Sequence, residues 1–144
     1  MPTFEVLPLV RVGTLSFGAH RGDVERIFGP ATRSTPFNDA VGYSRSRYRD
    51  QSAFVDYDED DRCAALEFHR PAVLMFRGQS LFELDVRELR DFLVGHGVSV
   101  RETGTGLTAE AIGLACYAPQ LRDPDKNLAA IEGLLFARSG YPLP

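Results

Sequence analysis

The chain has no tryptophan, two cysteines and one lysine, Lys126, in 144 residues. Each scarcity excludes something. Two cysteines, Cys63 and Cys116, are too few for the disulfide framework of a small secreted domain, and both read as small residues within strands. Acidic residues outnumber basic ones, 20 to 16, for a formal net charge of −4. That balance gives no general electrostatic basis for gripping nucleic acid, which depends on neutralising phosphates with Lys and Arg. No apolar run approaches the roughly 18 residues that a membrane-spanning helix needs. The opening Met1-Pro2-Thr3-Phe4-Glu5 lacks the basic stretch and apolar core of a signal peptide. A cytoplasmic protein without nucleic-acid or membrane partners is expected.

What is present is a large apolar complement. Hydrophobic residues make up 44%, with ten Phe and five Tyr, so a core can form without covalent staples. The chain reads as one domain, 1–144, in two halves of about 6–70 and 71–141. In the first half Val6 to Val12 suggests an opening strand, and Val24, Ile27 and Phe28 an apolar helical stripe over Arg21 to Phe28. Gly29-Pro30 ends that helix. Strands are predicted at Tyr43 to Arg49, Ala53 to Asp58 and Arg62 to His69. In the second half Val73 to Phe76 reads as a strand and Val86 to Val94 as a helix, opened by the Asp85/Glu88 capping pair. Strands follow at Val98 to Thr103, Ile112 to Ala118 and Ala129 to Arg138, with a loop over Pro119 to Asn127.

The halves align without a gap through the turn and helix. Gly13 falls on Gly78, Phe17 on Phe82, and Val24, Ile27 and Phe28 on Leu89, Phe92 and Leu93. The expected fold is therefore α+β: two tandem helix-plus-antiparallel-strand repeats sharing one sheet, with both helices on one face.

The segment from Gly13-Thr-Leu-Ser-Phe-Gly18 through Asp23-Val24-Glu-Arg-Ile27-Phe28-Gly29-Pro30 resembles a pattern of a broad bacterial superfamily. In that pattern Gly-aliphatic-x-x-Gly-Met-Thr/Ser leads into a helix of the form Glu-Val-x-x-x-Leu-Gly-x-Pro. The superfamily includes the β-lactamase inhibitor protein, itself a tandem repeat, and outer-membrane assembly lipoproteins of the BamE type. His20 stands where Thr or Ser caps the helix in that pattern, and no lipobox cysteine is present. The resemblance implies a non-enzymatic protein that binds another protein across its sheet. Small acidic domains of this class also resemble bacterial immunity proteins that block a toxin.

Several motifs that could carry chemistry fail on context. Asp56, Asp58, Asp60 and Glu67 occupy positions 1, 3, 5 and 12 of a calcium loop, but Asp61 stands where the loop needs glycine. Alternating flanks make the run a β-hairpin with Glu59 and Asp60 near its tip. No set of residues has metal-ligand spacing, and no cofactor is expected. Gly104-Thr-Gly106 lacks the Lys-Ser/Thr of a phosphate loop and reads as a tight turn. Glu67 and His69 share a strand face roughly 7 Å apart, which makes them the candidates if the chain were an enzyme.

Tyr43-Ser-Arg45-Ser-Arg47-Tyr48-Arg49 is the one basic and aromatic run. Its arginines either pair with Asp56, Asp58 or Glu67 across the sheet or grip an acidic partner or an RNA backbone. The acidic hairpin tip offers a contact for a basic partner. A protein-binding module is the expected function, with an immunity or inhibitor protein against a toxin as its sharpest form. Arg45, Arg47, Tyr48, Asp58, Glu59 and Asp60 are its expected contact residues. A small-molecule site lined by Phe17, Phe28, Phe76 and Phe92 is the alternative.

Overall fold

The computed structural model describes residues 2–119 and 130–144. It overturns the expected fold class. The chain is mostly β, with thirteen strands in two sheets and two short α-helices among the described residues. Strands account for 41% of it and helices for 21%.

The smaller sheet has the order β3-β2-β1-β8-β9. Its strands are β1 (Thr3–Leu7), β2 (Arg11–Val12), β3 (Leu15–Ser16), β8 (Val73–Phe76) and β9 (Gln79–Ser80). β1 and β8 run parallel at its centre, Phe4 opposite Leu74. The opening strand expected from Val6 to Val12 is instead a hairpin of β1 and β2, with Val6 facing Val12. Pro8 cannot donate to a ladder, and Leu9 turns into the left-handed region at φ 65°, so the chain reverses there.

The larger sheet has eight strands in the order β10-β11-β12-β13-β7-β6-β5-β4. They are β4 (Arg33–Ser34), β5 (Ser44–Tyr48), β6 (Ala53–Tyr57), β7 (Cys63–Phe68), β10 (Arg101–Thr103), β11 (Gly106–Ala109), β12 (Leu114–Tyr117) and β13 (Gly133–Ala137). Four strands from each half run outward from the antiparallel β7–β13 seam, where Phe68 faces Leu134 and Leu66 faces Phe136. The sequence shows why β11 forms. Gly104 and Thr105 turn the chain, and a Cβ at Gly106 would fall on the carbonyl oxygen of Cys116 in the neighbouring strand. The loop expected at Pro119 to Asn127 lies, beyond Pro119, outside the described residues, as does Ala129 at the start of the last expected strand.

Helices α1 (Arg21–Phe28) and α2 (Val86–Gly95) are eight and ten residues long. At about 1.5 Å per residue they reach roughly 12 and 15 Å, whereas eight strands about 4.8 Å apart spread over more than 30 Å. Helices alone cannot cover such a sheet, and the smaller sheet shares the task. Phe4 of β1 packs on Phe68 of β7 with ring centroids 4.9 Å apart and touches Phe28 of α1 at 6.0 Å. Phe28 meets Tyr48 of β5 edge-on, and Phe76 of β8 meets Phe92 of α2. Val24, Phe28, Leu89 and Leu93 of the two stripes are buried, whereas Ile27 is 44% exposed. The core thus lies between one face of the large sheet and a mixed layer of strands and helices. No described helix is long and apolar enough to cross a membrane.

Candidate functional site

The other face of the large sheet is open in part, and strand parity decides what stands on it. On β5, Ser44, Ser46 and Tyr48 turn into the protein, and Arg45 and Arg47 turn outward. Register then sets their neighbours: Arg45 opposes Asp56, Arg47 opposes Phe54, and Phe54 opposes Glu67. Glu67 opposes Leu135 on β13.

These side chains form one connected group. The Arg45 Nε donates to Asp56 Oδ1 at 2.9 Å, and its Nη2 reaches Glu67 Oε1 at 3.5 Å. The guanidinium carbon lies 4.9 Å from the centre of the Phe54 ring, and that of Arg47 lies 5.8 Å from it. His69 meets Phe54 edge-on at 5.6 Å. Tyr141 donates its hydroxyl to Asp56 Oδ2 at 2.8 Å and packs on Tyr43 with centroids 4.9 Å apart. Burial pushes the Tyr141 hydroxyl well above its ordinary range, and the adjacent Asp56 adds to that.

His69 is held from both sides of its ring. Its Nε2 lies 2.8 Å from Glu67 Oε2 and its Nδ1 lies 3.0 Å from the Glu132 carbonyl oxygen. Both partners are acceptors, an arrangement that favours the doubly protonated ring. The bond to Glu67 is the main cause of a raised His69 pKa, and the bond to His69 the main cause of a lowered Glu67 pKa. Gly133 makes room for this ring, because a Cβ there would sit 3.3 Å from His69 Cε1. An imidazole with both N–H groups engaged is a poor proton acceptor, so the pair does not form a ready general base.

Of the residues expected to meet a partner, Arg45 and Arg47 stand on the open face. Tyr48 does not. It is 1% exposed and shares a 2.6 Å hydrogen bond with the Tyr57 hydroxyl inside the core. Burial raises the Tyr48 pKa. Asp58 is a turn anchor, accepting from the backbone N–H groups of Asp60 and Arg62 at 2.9 and 3.1 Å and from Arg138 at 2.6 Å. Burial opposes its ionisation, but these donors outweigh that and hold its carboxyl below the usual range. Glu59 and Asp60 are exposed at the hairpin tip, and Asp61 is left-handed at φ 61°. The run is a hairpin and not a calcium loop. Among the described residues no cluster of three or more His, Cys, Asp or Glu side chains is placed to hold a metal ion.

The four phenylalanines expected around a small-molecule pocket line none of the main surface concavities. Phe28 and Phe76 are buried, and Phe17 and Phe92 pack against the core. Cys63 and Cys116 are buried and free, and burial pushes both thiols up to about 12. The members that the sequence reading missed are Phe54, Tyr141 and Arg33. Phe54 shares the parity of Asp56, but only the register of β6 with β5 sets it between two arginines.

The segment 138–144 runs along this face. Besides Tyr141, it is tied down where Thr108 Oγ1 and Arg101 Nη2 donate to the Pro144 carbonyl at 2.9 and 2.8 Å. Beside it Glu67, Thr108, Ala115, Tyr117 and Leu135 border a shallow groove, and Tyr117 is 48% exposed. No protein-family profile, no curated protein and no solved structure matches the chain.

Proposed function

We propose that the protein is a non-enzymatic binding module that docks another protein on the open face of its eight-stranded sheet. The observation carrying this reading is the contrast between the faces. One is filled by core side chains; the other presents Arg45, Arg47, Phe54, Glu67 and Tyr117, whose aromatic and guanidinium groups are the kinds enriched at binding hot spots. Phe54 is fixed by its arginine and histidine neighbours, so little side-chain freedom remains to be lost on binding.

The sharpest form of the reading is an immunity or inhibitor protein whose partner is a toxin, acting in the cytoplasm. The likeness of Gly13–Pro30 to the inhibitor-containing superfamily points the same way. Catalysis is disfavoured because the one imidazole on this face is committed to two acceptors.

The reading is tested by placing the aromatic photo-crosslinker benzoylphenylalanine at position 117, where it keeps an aromatic ring in place of the 48% exposed Tyr117, in the cells that make the protein. A single discrete protein adduct is expected from position 117 and none from position 94, where Val94 is 58% exposed on α2. No adduct at position 117, or the same adduct from both positions, would overturn it.

A further inference from the structure

We propose that the β4–β5 rim of the open face receives an extended, acidic segment of the partner, with an apolar side chain about four residues from its carboxylates. The inference rests on the docking reading and adds the partner's chemistry.

The first observation is a pair of like charges. Arg33 and Arg47 stand directly opposite each other on β4 and β5, and both are exposed. Like charges in that position cost stability. Among the described residues no carboxylate pairs with either, while the neighbouring Arg45 is engaged by Asp56 and Glu67. In a chain of net charge −4, these two guanidiniums form a positive island with their donors free. Carboxylates match that donor geometry, and Arg can bind them with two parallel hydrogen bonds.

The second observation is an apolar groove beside the island. It has a volume of about 830 Å³; Pro36, Phe37, Val41, Tyr43 and Tyr141 give it apolar surface, and Asp39 and the Arg45–Asp56 pair also line it. Phe37 and Val41 are 40% and 65% exposed. Strand geometry sets the spacing. Tyr43 immediately precedes β5 and lies four residues before Arg47, roughly 13 Å at about 3.3 Å per extended residue. An extended occupant therefore places its apolar side chain in the groove when its acidic residues, four positions along, reach Arg33 and Arg47. β4 ends the sheet, so such a segment can also run along its edge.

The test titrates the full chain against three labelled nine-residue peptides by fluorescence anisotropy. One carries Phe four residues before the first Glu of a Glu-Ala-Glu run, which puts the Phe and both carboxylates on one face of the extended peptide, one replaces the glutamates by lysines, and one replaces Phe by Ala. The acidic Phe peptide is expected to bind at least tenfold tighter than the other two and to weaken in 0.5 M salt. The double variant R33E/R47E is expected to lose that binding and to gain affinity for the lysine peptide. Circular dichroism and a urea melt check its fold, and R33Q/R47Q, expected to lose acidic binding without gaining lysine binding, serves if the reversal unfolds. Equal or tighter binding of the lysine peptide, no binding of any peptide, or tighter binding of a single-stranded RNA oligonucleotide overturns the proposal. So does self-association by light scattering that R33E/R47E abolishes, since a second copy would then occupy the rim. Failed peptide binding with a retained adduct at position 117 removes only the acidic-partner inference; loss of both removes the docking reading as well.

Discussion

At the scale of single residues, strand parity divides β5 between the core, which takes Ser44, Ser46 and Tyr48, and the open face, which takes Arg45 and Arg47. Tyr48 follows Arg47, so one strand cannot present both to the same partner, and its burial against Tyr57 was implicit in the alternation of Ser44, Ser46 and Tyr48. The pairing of Arg45 with Asp56 and Glu67 was also among the expected cross-strand contacts. What parity could not give was the second partner of the His69 ring, because the Glu132 carbonyl reaches it from 63 positions away in sequence. The His69–Glu67 pair carries a pH signature. The His69 contribution is complete below the ordinary imidazole value of 6.5 and is lost as pH rises through its raised folded value. The Glu67 contribution is present above the ordinary carboxyl value of 4.5 and is lost as pH falls through its lowered value. Wild type is therefore expected to exceed His69→Gln in stability most at about pH 5 to 6, by no more than about 1 kcal/mol for a partly exposed pair. That advantage is expected to fade on the alkaline side. Urea melts from pH 4 to 9 check this, and a difference that stays constant over the range would contradict it.

At the scale of elements, periodic segments were legible and short ones were not. The α1 bounds and β8 agree with the pattern of apolar residues, and α2 starts where its capping pair places it. β2, β3, β4 and β9 have two residues each, too few to show any period. β11 was missed because all four of its residues are buried, which hides the alternation of a half-exposed strand. The two helix starts differ in strength. Asp85 and Glu88 complete a reciprocal capping box with bonds of 3.2 and 2.8 Å, whereas His20 Nδ1 accepts from Gly22 N–H at only 3.4 Å. Asp85→Ala is expected to cost about 1 kcal/mol, and His20→Ala a few tenths at most. Urea midpoints of the two variants measure the contrast; an equal loss, or a larger one for His20→Ala, would contradict the assigned caps.

At the scale of the whole molecule, the sequence reading failed on what covers the sheet. It recognised two amphipathic helices and assigned them the entire covering layer. Their combined length is too small for eight strands, and the residues that complete the layer, Phe4, Val6, Val12 and Leu74, come from β1, β2 and β8, strands that the sequence reading assigned to the one shared sheet. The result is a large sheet packed on one side and open in part on the other, where residues 138–144 cross it and Thr108 and Ala115 are buried. Hydroxyl-radical footprinting of the wild-type protein, alone and bound to the partner identified through position 117, tests that division most directly. Oxidation is expected to fall at Tyr43, Phe54 and Tyr117 and to stay unchanged at Leu7, Val10 and Val94, which are exposed elsewhere. Protection at the second group with none at the first would contradict docking on the open sheet.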